Sequence, residues 1–450
     1  MKEKTYRFVF FSLYQWEEMA HYLEEMAADG WLLDKPGNTL WRFRRVPPQK
    51  LRFEVVFFPD ASGFDPGPTE GLQVMEDYSA RDGWRLLAQW GQAQFFVNDR
   101  EDPVPMETDP VVQVETLRKA MRRTMLPAHF LLLGVILFQL WMELSQLWKD
   151  PVDFFSSSFY LGMIPFWLLL LAAQGCEIGR YFLWVRQARQ AAEDGVFLSA
   201  GPQRWTWLLL GLAVLILVWT TLGSALWTQS LAIWSGCYLL ILLLTTLARD
   251  AMKRRGVSRR VNRALSIGLC VLLTFGLLSG VTALLIQRGI GRPKAPETYE
   301  FQGHTFSIWQ DPIPLRVEDL VPVAGVRYSS RAETEETFLL ARRKYSQDTL
   351  LGEDLNAPEL AYNIVEVKAA FLYNLCRDSM VKEDPLFERD WRPADAAPWG
   401  ADAAYRMYRH GEPDDWYLLC FPDRLAEVQP RGLDLTPEVM AAIGKRLKTS

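Results

Sequence analysis

Residues 21–45, HYLEEMAADGWLLDKPGNTLWRFRR, and residues 75–99, MEDYSARDGWRLLAQWGQAQFFVND, are two versions of one pattern. Each reads as a helix, then Asp-Gly-Trp, then a strand, a turn and a second strand. In the first copy Trp16, Met19, Leu23 and Met26 recur at helical spacing, which gives that helix one apolar face. Gly30 and Gly83 follow the helices, where a left-handed residue closes the last turn and glycine bears no steric cost. Trp31 and Trp84 begin the strands that follow. Each helix is also preceded by a strand-like run, YRFVFF at 6–11 and LRFEVVFF at 51–58. The unit is therefore βαββ, repeated. It predicts an α+β N-terminal domain over residues 1–110, with an antiparallel or mixed sheet, both helices on one face and a ferredoxin-like plan. The two Asp-Gly-Trp elements fit either a helix stop with a core tryptophan or part of a partner surface, since Trp41, Phe43, Trp90, Phe95 and Phe96 offer much aromatic area.

Tyr6-Arg7-Phe8, Trp16-Glu17-Glu18, Glu25 through Trp31 and the second Gly83-Trp84 resemble the bacterial family called domain of unknown function 2812. The resemblance covers about the first hundred residues. It implies a domain placed before several membrane spans and a regulatory or sensing role beside PadR-like transcription regulators, which makes such a regulator a candidate cytoplasmic partner. It implies no catalytic residues.

Beyond residue 110 the composition changes. The chain has 450 residues, a net charge of -5 and a mean hydropathy of -0.04, an average that describes none of its parts. A net-positive, apolar middle lies between two acidic flanks. After a basic linker at 111–125, five runs approach the roughly 20 apolar residues that a helix needs to cross a hydrocarbon core of about 30 Å. They are 126–148, 159–182, 205–227, 229–248 and 264–286, an all-α polytopic membrane region over 126–286 with the lipid bilayer as its partner. A tight reversal near Thr228 separates the third run from the fourth, because one helix through both would overshoot any bilayer. Trp205, Trp207, Trp227 and Trp234 stand near span ends, as in an interfacial aromatic belt.

Basic short loops stay in the cytoplasm. Arg118, Lys119, Arg122 and Arg123 precede the first span; Arg186, Arg189 and Arg204 lie between the second and third; seven Lys and Arg residues occupy 249–263. All three segments fall on one side. The reading is a multi-pass plasma-membrane protein with the N-terminus cytoplasmic and the C-terminus extracytoplasmic. The 249–263 cluster serves this topology, and no nucleic acid is expected. No cleavable signal precedes the first strand, so the first span acts as the insertion signal.

Ionisable residues inside spans are costly. Glu177 and Arg180, three apart on the second helix, share a face and form a candidate intramembrane ion pair. Gly276 and Gly280 make a GxxxG for close helix packing, within the chain or in a homodimer.

Residues 287–450 read as an extracytoplasmic α+β domain. Strands are expected in YEFQGHTFSIW at 299–309 and at 336–346, 403–411 and 415–421. The stretch 359–381 is part strand and part helix, and a terminal helix is N-capped by Thr436. Its two cysteines, Cys376 and Cys420, are a candidate disulfide or two buried thiols.

No catalytic signature is found. The four histidines are scattered, and there is no metal-ligand spacing, P-loop, dinucleotide fingerprint or nucleophile elbow. Neither cofactor, metal nor enzymatic activity is expected. The function predicted is regulation or sensing, with a cytoplasmic partner-binding module and an outer ligand- or partner-reading domain. The alternatives are a transport-associated subunit and a membrane-embedded enzyme.

Overall fold

The structure, a computed structural model, describes residues 3–37, 40–222, 225–287, 297–323, 325–350, 357–383 and 388–449. It is a mixed α/β molecule, β-rich at both ends with long helices between. The chain divides into two compact units. One holds residues 1–137, 168–215 and 224–291, and the other residues 138–167, 216–223 and 292–450.

The first unit begins with β1 (Lys4–Phe8), α1 (Trp16–Ala28), β2 (Trp31–Lys35) and β3 (Leu40–Arg45). The pattern then repeats as β4 (Arg52–Phe57), α2 (Glu70–Arg81), β5 (Arg85–Trp90) and β6 (Ala93–Asn98). Both helices end at a glycine in the left-handed region, Gly30 at φ 81° and Gly83 at φ 87°. A Cβ at Gly30 would lie 2.8 Å from the Val46 carbonyl oxygen, so that position excludes any side chain. Trp84 is buried and its indole N–H donates to the Val104 carbonyl at 2.8 Å, while Trp31 is half-buried beneath the Arg45 guanidinium.

One ferredoxin-like sheet is not what forms. Each repeat closes its own three-stranded antiparallel sheet, in the orders β1-β3-β2 and β4-β6-β5. The last strand of each repeat inserts between the first two, so the strands flanking the helix never pair with each other. The repeats then join through side chains. Trp41 and Phe95, each on a central strand, meet edge to face at 5.4 Å, and α1 packs on β4 of the other repeat.

Residues 111–125 do not form a linker. They lie mostly in α3 (Pro110–Arg123), which Asp109 caps by accepting from the Val111 and Val112 amides. Val114, Leu117 and Met121 recur at helical spacing and are buried in the domain core, with Arg118, Arg122 and Arg123 on the other faces. Basic composition masked this amphipathic stripe.

The helices that follow are α4 (Met125–Lys149), α5 (Pro151–Ser156), α6 (Ser158–Glu193), α7 (Arg204–Leu222), α8 (Ala225–Arg254) and α9 (Arg259–Gln287). Three helical stretches, Pro110–Lys149, Ser158–Glu193 and Arg259–Leu284, are long and apolar enough to cross a membrane; Arg204–Thr220 is apolar but shorter. The apolar window of the last of the three has no buried residue at all. Thr228 is helical within α8, and residues 223–224, between α7 and α8, lie outside the described residues. α6 outruns its expected span. Tyr181, Trp184, Ala188 and Ala192 on its last turns belong to the core of the duplicated domain.

The second unit centres on a seven-stranded antiparallel sheet, in the order β12-β13-β14-β15-β11-β10-β9. Its elements begin with the hairpin β7 (Glu297–Phe301) and β8 (His304–Ile308), followed by β9 (Tyr328–Glu336), β10 (Leu340–Thr349) and β11 (Glu359–Val367). Then come α10 (Tyr373–Met380), β12 (Arg389–Ala394), β13 (Ala403–Arg409), β14 (Glu412–Cys420), β15 (Arg424–Arg431) and α11 (Pro437–Thr449). The strand expected at 336–346 forms over 340–346 as the first part of β10, preceded by the turn from β9, which ends at Glu336. α11 covers one face of the sheet. On the other face α5 packs beside α10: Arg342 pairs with Asp153 at 3.2 Å, and the Thr337 hydroxyl donates to the Phe155 carbonyl at 2.6 Å. Cys376 and Cys420 lie in one apolar cluster with both thiols free, and burial pushes the Cys376 thiol up to about 12.

Candidate functional site

The duplicated domain holds the long helices through two loops that occupy equivalent places in its two repeats. The loop between β1 and α1 reaches α6. Ser12 donates from its hydroxyl to Glu177 Oε1 at 2.5 Å, and Tyr14 donates to the same oxygen at 2.8 Å. Gln203 closes the group, donating from its amide to Glu177 Oε1 at 3.2 Å and to the Ser12 hydroxyl at 2.5 Å. Ser12, Tyr14, Glu177 and Gln203 are all buried. The second carboxylate oxygen, Glu177 Oε2, is also buried and has no hydrogen-bond partner among the described residues. Burial, with the Glu177 carboxylate beside it, pushes the Tyr14 hydroxyl far above its ordinary value, so it stays a donor at any physiological pH. The Tyr14 ring stacks on Trp184 at 5.5 Å, and the Ala200 amide donates to the Tyr14 carbonyl at 3.0 Å.

This arrangement corrects the expected Glu177–Arg180 ion pair. Arg180 turns to the Gly201 carbonyl, to which it donates at 2.8 Å, and Gln15 donates to the same oxygen at 2.9 Å. Neighbouring positions on one helix face meet only when nothing stronger competes for them. Here a loop more than 160 residues earlier supplies two polar groups to the carboxylate, and Gln203 from the following segment supplies a third.

The equivalent loop of the second repeat, between β4 and α2, reaches the α8–α9 hairpin and the end of α3. Arg123 donates to the Pro59 carbonyl at 3.1 Å and pairs with the Asp60 carboxylate. Arg259 donates to the Asp60 carbonyl at 2.9 Å and lies 3.7 Å from the Asp65 carboxylate. Asn262 donates to the Phe64 carbonyl at 3.2 Å. The hydrogen bond from Arg123, with Lys119 and Arg259 near, holds the Asp60 carboxyl below the usual carboxylate range. Lys35 of the first repeat adds a bond to Asp250 at 3.3 Å. Between these elements lies a hollow of about 630 Å³ whose lining includes Lys35, Trp90, Arg249, Lys253 and Arg254. Its positive balance suits an anionic ligand.

The second unit carries a smaller hollow, of about 180 Å³, on the face of its sheet. Lys344, Asn363, Trp416, Glu427 and Gln429 line it. Burial pushes the Glu427 carboxyl up, against the opposing effects of Asn363 and Arg342. Asn363 donates to Glu427 at 3.4 Å, and its own buried carbonyl oxygen has no partner among the described residues. The sequence reading missed both hollows, since the residues of one come from four strands and those of the other from α8, two strand ends and separate loops.

Among the described residues Gly276 and Gly280 make no close helix contact within the chain. A Cβ at Gly276 or Gly280 would meet nothing within 4 Å, and both positions are exposed on α9. Among the described residues no group of three His, Cys, Asp or Glu side chains could hold a metal ion. Comparison of the chain with family models, with curated proteins and with solved structures gives no match.

Proposed function

We propose that the chain is a polytopic bacterial membrane protein of regulatory or sensory type. Five spans carry a cytoplasmic N-terminal partner-binding module and an extracytoplasmic C-terminal domain that reads a ligand or partner. The observation that carries this reading is the double seating of the duplicated domain. One loop grips α6 at Glu177 and the other grips the α8–α9 hairpin at Arg259 and Asn262. A domain attached by two loops to α6 and to the α8–α9 hairpin has a route by which helix movement changes its shape.

Charge placement supports the orientation. The three basic segments all belong to the unit that contains the duplicated domain, and the loop carrying α5 packs on the C-terminal sheet. An odd number of crossings separates the two domains. The free face of the module is α2, whose Val74 and Tyr78, four apart, are 68% and 69% exposed. A PadR-like regulator is the partner that the family resemblance suggests. The hollow around Glu427 and Lys344 supports a small polar ligand for the outer domain.

The test uses the full chain in nanodiscs, because α3 and α6 contribute to the core of the duplicated domain and a fragment ending at 110 would expose it. A purified PadR-like regulator is expected to bind, and Val74→Asp with Tyr78→Asp is expected to weaken binding at least tenfold. Absence of binding by the intact, folded chain counts against the partner assignment. A reporter fused after Ser450 is expected to be active only outside the cytoplasm; activity inside overturns the orientation.

A further inference from the structure

The outer face of the first small sheet has a graded composition. Along this face of β1 the side chains run Lys4, Tyr6, Phe8 and, just past the strand, Phe10, all exposed; Arg7, on the opposite face, is exposed as well. The neighbouring strand repeats the gradient in register: Arg44 opposite Lys4, Arg42 opposite Tyr6, Leu40 opposite Phe8. The other face of β3 carries Trp41 and Phe43, both buried in the core. The sheet thus has its hydrophobic interior and, on the opposite face, a second apolar end that the core does not use. Phe8 is 75% exposed and Tyr6 58%. Lys4 and Arg44 form no ion pair among the described residues, whereas Arg42 bonds to Asp34 at 2.6 Å.

The apolar end of the gradient is anchored. Phe10 packs against Trp207 at 4.3 Å between ring centroids, and Phe8 stacks on Phe10 at 6.4 Å. Trp207 and the largely exposed Trp205 stand in the first turn of α7, whose following turns expose Leu208, Leu212 and Leu215. Tryptophan at the start of an apolar helix marks a membrane–water boundary. The sheet face is therefore continuous with that boundary. It becomes less apolar and more basic with distance from it, at about 7 Å for every two residues along the strand.

We infer that the β1–β3 face rests on the bilayer surface, with Phe8, Phe10 and Leu40 at the acyl boundary and Lys4 and Arg44 among anionic lipid headgroups. Apolar side chains buried into the outer few ångströms of a leaflet, backed by cations, form the usual monotopic contact with anionic lipid. The inference rests on the reading that α7 enters a membrane near Trp205.

The test is photo-crosslinking of the full chain in vesicles of phosphatidylethanolamine and phosphatidylglycerol. A p-benzoylphenylalanine is placed at Phe8, at Leu212 on α7 and at Tyr78 on α2. Lipid adducts are expected at positions 8 and 212, with at least a fivefold lower yield at 78. Lys4→Glu with Arg44→Glu is expected to cut the phosphatidylglycerol adduct at position 8 several-fold and to leave position 212 unchanged. A lipid adduct at 212 with none at 8, or an adduct at 8 only to a second copy of the chain, overturns the contact. An unchanged yield at 8 in the double variant overturns the assignment of anionic headgroups. No lipid adduct at either 8 or 212 defeats the membrane reading of α7 itself.

Discussion

The two repeats of the N-terminal domain hold helices from the same place in the fold by opposite chemistry. In the first repeat the carboxylate belongs to the helix, Glu177, and the domain supplies neutral donors from Ser12 and Tyr14, all buried. In the second repeat the carboxylates belong to the domain, Asp60 and Asp65, and the helices supply the cations. The Asp60 side chain is 61% exposed, whereas Asp65 and Asn262 are buried, so the exposed part of this attachment is the Arg123–Asp60 pair. Buried hydrogen bonds to a charge are strong and insensitive to salt, whereas exposed ion pairs contribute little and are screened. On these grounds the first attachment is expected to resist salt and the Asp60 contacts of the second to weaken with it.

The largest effect expected on this difference comes from Trp184→Ala. Trp184 is buried, stacks on Tyr14 and donates to the Leu198 carbonyl at 3.0 Å. Truncation of a buried aromatic costs about 3–5 kcal/mol. Hydrogen exchange at residues 9–15 is expected to accelerate strongly, with residues 58–66 unaffected. Equal acceleration in both loops would mean that the attachments are not independent.

Glu177→Gln ranks next. It keeps the shape and removes the charge that three donors share, a loss of about 1.5–3 kcal/mol for hydrogen bonds to a charged group. Opening of the 9–15 loop, measured in the same way, reads it. No change would show that the carboxylate is not the source of the grip.

The helix stops sharpen the comparison from the other end. Gly30→Ala and Gly83→Ala both force a side chain into the left-handed region, at about 1–2 kcal/mol each. Gly30 faces the Val46 backbone oxygen at 2.8 Å, whereas Gly83 faces the side chains of Asn98 and Arg100 at 3.3 Å and beyond, which can move. The first substitution is expected to lower the thermal midpoint more than the second. Equal effects would remove the distinction.

Asp60→Asn is expected to be the mildest, at most about 1 kcal/mol, and to disappear in high salt. The pH sign follows from the depressed carboxyl. Its stabilising contribution is fully present above the ordinary carboxylate value and is lost only as pH falls through the lower folded value. Between pH 6 and 8, therefore, exchange in the 58–66 loop is expected to show no contribution from Asp60 titration.

Much of the local design could be read from residues close together in sequence. The glycine stops, the repeated βαββ order and the hairpin before residue 309 depend on a few adjacent side chains, and the structure places them accordingly. The apolar stretches were legible for the same reason, although only three helical stretches reach membrane length and hydropathy over the described residues. What the local pattern could not convey was where each sheet ends. Two separate three-stranded sheets and one continuous sheet share the same alternation, and it is the strand pairing, with side-chain contacts such as Trp41–Phe95 between the sheets, that distinguishes them. The α3 stripe of Val114, Leu117 and Met121 was present but hidden by its basic neighbours. The Glu177 site was half visible. A carboxylate on an apolar helix demands partners, but Arg180 was the near candidate and Ser12, Tyr14 and Gln203 the actual ones.

The central claim, that the two repeats attach by salt-resistant and salt-sensitive means, is tested most directly by one measurement. Backbone hydrogen exchange of the full chain in nanodiscs is followed at low and at high ionic strength. Protection in residues 58–66 is expected to fall at high salt while protection in residues 9–15 stays constant. Loss of protection in both loops together, or in 9–15 alone, would contradict it.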